Sequence, residues 1–223
     1  MSPKAGQICV GVSLNLLIIS VPLIFRQDVF TIWLAPPTLI FYVTISLFCM
    51  TEIWSSNSEI DQSVSGPTTY HPHFIGLAFL GLIWLAVYQT QSHHFGWALN
   101  IIGCFTMIAG IALRTISIRT LKTQFLSQIQ LRADHTLLRS GIYAVIRHPS
   151  ELGLLLIGLG IPLLLSSPLG LIALAFVLAP LSLYRIGLED KLLHEAFTKE
   201  FSVYKATTPA LFPKLHRQGG HNG

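Results

Sequence analysis

Residues 151–187 read ELGLLLIGLGIPLLLSSPLGLIALAFVLAPLSLYRIG, and this stretch decides the fold. An apolar run from Leu152 to Leu165 is followed by Ser-Ser-Pro-Leu-Gly, which is a turn signal, and then by a second apolar run from Leu171 to Ile186. A helix that crosses a membrane needs about 20 apolar residues, so the first run is slightly short for a full span. The pattern therefore predicts two helices joined as a hairpin in the membrane.

Four further apolar runs precede the hairpin, at residues 8–25, 29–54, 74–90 and 97–118. Over the whole chain 52% of the residues are hydrophobic and only 11% are charged, which excludes an ordinary soluble domain of 223 residues. No stretch alternates in the manner of a strand. The sequence predicts an all-α, polytopic membrane helix bundle with about six spans, of which the last two form the hairpin.

The basic residues are distributed unevenly and indicate an orientation, because cytoplasmic loops retain Lys and Arg. With six crossings and a cytoplasmic N-terminus, only Arg26 falls on the outer side. The other thirteen lie on or near the cytoplasmic side: Lys4, Arg114, Arg119, Lys122, Arg132, Arg139, Arg147, Arg185, Lys191, Lys199, Lys205, Lys214 and Arg217. We therefore predict cytoplasmic N- and C-termini. The basic excess then reflects membrane orientation, and we expect no nucleic-acid partner.

The residues after the last span recur at helical spacing. Apolar residues alternate with charged ones from Leu188 to Phe201, which predicts a cytoplasmic amphipathic helix at the membrane surface. We divide the chain into N-terminal spans at 1–96, a membrane and ligand-binding region at 97–215, and a disordered tail at 216–223. The three cysteines lie apart in apolar runs, so neither a disulfide framework nor a metal site is expected.

Polar residues concentrate at the two ends of the hairpin. The segment from His135 to Gly153 carries two His, two Arg, a Tyr and a Glu, which favours a polar pocket over simple packing. The alternative is an interfacial loop without a binding function, in which the arginine side chains snorkel to the membrane surface. The second cluster, Arg185 to Asp190, contains Arg185 and Glu189 four residues apart, which by themselves suggest only an ion pair on one helix face. Because the hairpin returns to its starting side, we expect the two clusters to meet.

At these residues the sequence resembles the isoprenylcysteine carboxyl methyltransferases and their bacterial relatives, which overlap with phospholipid methyltransferases. The resemblance covers roughly residues 110–213. It rests on His135 and Leu137, Gly141-Ile142-Tyr143, Arg147-His148-Pro149, Gly153, Arg185-Ile186, Glu189-Asp190, Phe197, Phe201, Tyr204 and Pro213. It implies a membrane methyltransferase that uses S-adenosylmethionine and acts on a lipophilic or lipidated substrate that reaches it from membrane lipid.

The resemblance also implies roles for individual residues. The cofactor has a carboxylate that suits Arg or His donors and ribose hydroxyls that suit a carboxylate acceptor. The expected cofactor contacts are His135, Leu137, Gly141, Tyr143, Arg147, His148 and Glu189, with Pro149 fixing the turn into the hairpin. Arg185 and Asp190 are expected to orient the acceptor. If the acceptor is a thiol or an amine, a base must remove its proton, and the candidates are Glu151, Asp190 and His148.

This chain departs from the family pattern at two positions. Glu151 stands where relatives commonly have Tyr, and Asp190 stands where they commonly have a second Glu. A negative charge at Glu151 would repel a carboxylate unless it is protonated or paired with Arg147. An acceptor other than prenylcysteine is therefore compatible with the sequence.

Two other functions are compatible with the same pattern. Membrane sterol reductases resemble this family in their C-terminal half and use NADPH, although they need additional basic contacts for the 2'-phosphate. In a non-enzymatic scaffold or small transporter, the polar clusters would only anchor the ends of the spans. A transporter predicts ionisable groups at the membrane midplane, and the deep parts of these runs contain few.

Overall fold

The computed structural model describes residues 3–56, 71–90, 95–121 and 137–213, and over these residues the chain is helical with no strand. The position of His135 and the predicted tail at 216–223 lie outside the described residues. The helices are α1 (Pro3–Ser20), α2 (Val29–Leu34), α3 (Pro36–Ser56), α4 (His71–Gln89), α5 (Trp97–Leu121), α6 (Pro149–Leu164), α7 (Pro168–Ala173), α8 (Ala179–Ala196) and α9 (Thr198–Thr207). Short 3-10 turns lie at Val21–Phe25 and Gly141–Ala144.

The long apolar helices correspond to the six apolar runs of the sequence, except that the run at 29–54 is divided at Ala35, which is extended before Pro36. Four of them are long and apolar enough to cross a membrane: Ile8–Phe25, Pro36–Ile53, Trp97–Leu121 and Pro168–Ala196. Two more, Phe74–Gln89 and Pro149–Leu164, are apolar but shorter. Large apolar side chains such as Phe30, Phe105 and Phe176 point outward, as expected for helices that face lipid.

α6 packs antiparallel on α5 with the two backbones in direct contact. Gly103 and Gly110 lie seven residues apart on α5, and Gly153 and Gly160 have the same spacing on α6, so each pair occupies one helix face. A Cβ atom added at Gly110 would lie 2.6 Å from the carbonyl oxygen of Gly153. Small residues permit this close approach, which is common between helices in membranes.

The hairpin turns at residues 165–167, as the sequence predicts. Ser166 adopts a positive φ of 55°, and the Ser167 hydroxyl accepts a hydrogen bond from the Gly170 amide at the start of α7. Ser167 also donates to the Gln89 side chain at the end of α4, and Asn100 of α5 donates to the Leu164 carbonyl. These contacts join one end of α4, α5 and the hairpin, so the turn is fixed by the neighbouring helices.

The second arm of the hairpin is longer than predicted. A π-helical turn at Leu174–Leu178 joins α7 to α8, and α8 then continues to Ala196 without a break at residue 187. The predicted amphipathic helix is therefore divided, because its first part extends the last span and its second part forms α9. The break occurs at Phe197, which has a non-helical φ of −124° and ψ of 35°.

Two hydrophobic cores hold these elements together. The main core joins residues from α1, α3, α4, α5, α6 and the second arm, so the predicted N-terminal and C-terminal regions pack against each other. A smaller core contains Ile146, Leu152, Ile186 and Leu211. Leu211 follows α9, so this core attaches the C-terminal segment to the base of the hairpin.

Candidate functional site

The hairpin brings the two polar clusters of the sequence into direct contact. An Arg147 terminal nitrogen lies 2.9 Å from Asp190 Oδ2, and His148 Nε2 lies 2.9 Å from Asp190 Oδ1. These residues are more than 40 positions apart, and they meet because α6 begins at Pro149 and α8 returns to the same end of the bundle. The predicted meeting of the clusters is present in the structure.

His148 is held between two carboxylates. Its side chain is 2% exposed, and its Nδ1 lies 3.5 Å from Glu189 Oε2 while Nε2 contacts Asp190. Burial alone would lower the pKa of His148, but the charge of Glu189 and the hydrogen bonds to Asp190 and Glu189 outweigh it and raise the pKa to about 9. His148 is therefore an imidazolium at neutral pH, with both ring nitrogens acting as donors.

Arg147 fastens the C-terminal segment to the site. One terminal nitrogen donates to the carbonyls of Lys205 and Thr208, and the Arg147 and His148 amides donate to the carbonyls of Pro209 and Ala210, each at 2.9 Å. Among the described residues the Arg147 Nε is buried and has no hydrogen-bond partner. Most of the guanidinium is thus committed to holding the protein together, while its Nε–H stays available to a ligand.

Asp190 is the centre of this cluster. It contacts Arg147, His148 and, at 3.5 Å, the Lys205 ammonium, and it is 8% exposed. From the sequence, Asp190 is expected to orient the acceptor together with Arg185, and it is also one of three candidates for the base. Its contacts instead join it to the predicted cofactor residues, so its geometry indicates that it positions Arg147 and His148.

The segment before the hairpin contributes a tyrosine pair. Tyr143 is buried, and its carbonyl accepts a 2.6 Å hydrogen bond from the Tyr204 hydroxyl of α9. Burial raises the pKa of Tyr204 to about 12 and raises the pKa of Tyr143 as well, so both phenols are neutral. Gly141 has a φ of +59°, which favours glycine and opens the turn that leads to Tyr143. Leu137 lies partly exposed at the start of this segment.

Glu151 and Arg185 lie outside the Asp190 cluster and line a cavity of about 310 Å³. This cavity lies between the N-terminal helices and the hairpin, and we call it the inter-helix cavity. Arg185 Nε is 3.4 Å from Glu151 Oε1, so Arg185 pairs with a carboxylate on the other arm of the hairpin. The cavity also contains Glu52 and Arg114, whose side chains form a two-point ion pair with distances of 2.7 and 2.9 Å.

Glu52 and Arg114 were not predicted from the sequence as functional candidates. Both are ionisable residues at the ends of apolar runs, where a charge is costly unless it is paired or used. The energetic cost of an unpaired charge could have identified both residues from the sequence, but Arg114 was used only to predict the orientation of the spans. Their pairing connects α3 to α5, and sequence spacing alone does not predict it.

Comparisons with known proteins agree with the family resemblance of the C-terminal half of the sequence. Residues 101–195 match the model of the Isoprenylcysteine carboxyl methyltransferase (ICMT) family. The chain is 37% identical over 108 residues to the protein-S-isoprenylcysteine O-methyltransferase of Saccharomyces cerevisiae, which is 48% of this chain and 45% of that protein. It is 30% identical over 119 residues to the protein-S-isoprenylcysteine O-methyltransferase B of Arabidopsis thaliana, which is 52% of this chain and 60% of that protein.

The fold is also similar to that of a solved structure, the eukaryotic intramembrane Ras methyltransferase ICMT. The superposition has a TM-score of 0.57 at 21% sequence identity and covers 88% of this chain and 74% of the other. At this identity the likeness concerns the fold. Together with four helices that are long and apolar enough to cross a bilayer, it identifies the chain as an integral membrane protein. The aligned part spans about half the length of the relatives matched by sequence.

Proposed function

We propose that this chain, whose residues 101–195 match the model of the isoprenylcysteine carboxyl methyltransferase family, is a membrane methyltransferase that transfers a methyl group from S-adenosylmethionine to a lipophilic acceptor. The observation that carries the proposal is the cluster of Arg147, His148, Glu189 and Asp190 at the base of the hairpin. Snorkelling side chains at span ends would be separate and solvated. These side chains are instead paired, and those of Arg147, His148 and Asp190 are at most 10% exposed, which supports a binding site over a scaffold.

The donor set of the cluster fits the cofactor. The buried Arg147 Nε lacks a partner among the described residues and is a donor suited to a carboxylate. The Glu189 side chain is 42% exposed and can accept hydrogen bonds from ribose hydroxyls. Of the predicted contacts, Arg147, His148 and Glu189 belong to the cluster, and Pro149 follows it directly. Leu137, Gly141 and Tyr143 lie in the segment before it, and His135 lies outside the described residues.

When bound, the cofactor supplies a methyl group on a sulfonium, which is electrophilic without further activation. The protein then has to hold the donor and the acceptor in line and to exclude water. Asp190 holds Arg147 and His148 in place, and the segment at Thr208–Leu211 covers them from the C-terminal side. The inter-helix cavity, with its apolar walls, is the proposed acceptor site.

Binding by the purified chain tests this function against the reductase alternative. We expect the protein in detergent or nanodiscs to bind radiolabelled S-adenosylmethionine, with no comparable binding of NADPH. It should also transfer the tritiated methyl group to a prenylated or alkylated acceptor. Binding of NADPH without binding of S-adenosylmethionine would refute the proposal.

A pair of variants on α8 tests the placement of the cofactor. Glu189→Gln removes the carboxylate beside His148 and should weaken cofactor binding about tenfold or more, as expected for a lost hydrogen bond to a charged group. Glu195→Gln makes the same chemical change at an exposed position of the same helix and should leave binding unchanged. Equal affinity in the two variants contradicts the proposed contact of Glu189.

A further inference from the structure

The inter-helix cavity is built for an amphiphile. Phe48, Phe79 and Leu154 line it and belong to or border the apolar core of the bundle. The charged side chains lie where α3, α5, α6 and α8 converge. A molecule with a hydrocarbon tail and a small polar head therefore matches the distribution of polarity in the cavity.

The two arginines of the cavity already have carboxylate partners. Arg114 binds both oxygens of Glu52 and also donates to the Ser150 hydroxyl at 3.0 Å. Arg185 lies beside Glu151 at 3.4 Å. Two arginines and two glutamates give a formal charge of zero among the described residues that line the cavity. An additional carboxylate would enter without a counter-charge and next to two existing ones.

Glu151 has an unused hydrogen-bonding position. Its residue is 5% exposed, its Oε1 contacts Arg185, and its Oε2 is buried without a hydrogen-bond partner among the described residues. A buried carboxylate oxygen without a donor is unfavourable, and a head group that carries a proton supplies that donor. A head group that is itself a carboxylate supplies none.

We propose that the acceptor has a neutral, proton-bearing head group, namely a thiol, an alcohol or an uncharged amine, and that Glu151 selects it over a carboxylate. This inference rests on the proposed function, because it names the class of acceptor for the same site. Specificity has a favourable and an unfavourable component. The preferred head group donates a hydrogen bond to Glu151 Oε2, and the charges of the two glutamates repel an anionic head group. Glu151 is thereby the residue that contacts the reacting head group.

The same arrangement accounts for the proton that such an acceptor loses. The lone pair of its sulfur, oxygen or nitrogen forms the bond to the methyl carbon, and the bond between that carbon and the donor sulfur breaks with its electrons left on sulfur. The head-group proton moves to Glu151 Oε2. Charge balances, because the donor loses its positive charge, the carboxylate loses its negative charge and the methylated acceptor is neutral.

Binding without any methyl donor tests the selectivity directly. Three amphiphiles with the same 15-carbon isoprenoid tail and a thiol, an alcohol or a carboxylate head are titrated into the purified chain in nanodiscs, with empty nanodiscs as the blank. We expect the thiol and alcohol to bind about tenfold or more tightly than the carboxylate. In Glu151→Gln the carboxylate should gain about tenfold in affinity, because the negative charge of Glu151 beside Arg185 is then removed and no longer repels the head group.

Methyl transfer adds a second measurement. With donor present, Glu151→Gln should lower kcat for the thiol and the alcohol, while Glu195→Gln leaves kcat unchanged. Wild-type protein that binds the carboxylate as tightly as the thiol overturns the inference, and so does an unchanged preference in Glu151→Gln. Absence of donor binding instead refutes the proposed function, and the head-group preference is still measured independently of it.

Discussion

At the scale of single residues, the site depends on the positive charge of a buried histidine. His148 lies between Glu189 and Asp190, and its pKa is raised to about 9 from the usual 6.5. A group whose pKa is raised by folding contributes stability that is complete below the unfolded pKa and is lost as the pH rises through the folded pKa. The contribution here is at most about 3 kcal/mol.

The pH dependence of thermal stability tests this charge. We expect the unfolding temperature of the wild-type protein to fall between about pH 7 and pH 10 more steeply than that of His148→Gln, because glutamine has no proton to lose in that range. Tyr204 does not interfere, since its pKa is raised to about 12. His194→Gln is the matched control at an exposed position of α8 and should keep the wild-type slope. Identical slopes in all three proteins would contradict a charged His148.

The sequence predicted which residues lie together at the site, but it predicted only some of the contacts that each residue makes. Arg147, His148 and Glu189 could be assigned to one site because they flank a hairpin. The contacts of Asp190 depend on Lys205 and on a C-terminal segment that folds back over Arg147, and no local pattern encodes that path. The Glu52–Arg114 pair likewise requires knowing that α3 lies beside α5.

At the scale of the elements, the packing of α5 on α6 fixes the distance between the side chains that these two helices contribute to the inter-helix cavity. Arg114 of α5 donates to Ser150 of α6, so a change in helix separation reaches the inter-helix cavity directly. The apolar runs and the serine-proline turn predicted the hairpin. They did not predict that α6 would lie against α5 through its backbone, because that contact depends on the pairing of glycines from two distant segments.

Substitution of a contact glycine tests this packing. In Gly110→Ala the new Cβ would lie 2.6 Å from the Gly153 oxygen and 2.8 Å from the Ile157 amide nitrogen, and backbone atoms cannot yield without moving a helix. We expect a loss of about 1–3 kcal/mol, seen as a lower unfolding temperature in detergent. Gly81→Ala is the control, because a Cβ there meets nothing within 4 Å, and it should be neutral or stabilising by up to about 1 kcal/mol. Equal stability of the two variants would contradict tight packing of α5 on α6.

At the scale of the whole molecule, the arginines occupy opposite ends of the bundle in unequal numbers. Arg26 donates to the Tyr88 carbonyl near the end of α4, on the same side as the hairpin turn. Arg114, Arg147 and Arg185 lie at the other end, around the base of the hairpin. The helix packing is therefore compatible with the predicted six crossings, and the choice of side remains a prediction from the distribution of basic residues.

Labelling of introduced cysteines decides that orientation. In a variant with Cys9, Cys49 and Cys104 replaced by Ala, we introduce either Asp28→Cys or Lys199→Cys, both at exposed positions, and express the protein in a bacterial inner membrane. A membrane-impermeant maleimide added to spheroplasts should label the Asp28→Cys protein at once. It should label the Lys199→Cys protein only after permeabilisation, because Lys and Arg near a span oppose translocation of the adjacent loop. Labelling of both proteins in intact spheroplasts would require an even number of crossings between the two positions and would contradict the six-span arrangement, and the reverse pattern would place the predicted cofactor cluster on the outer face.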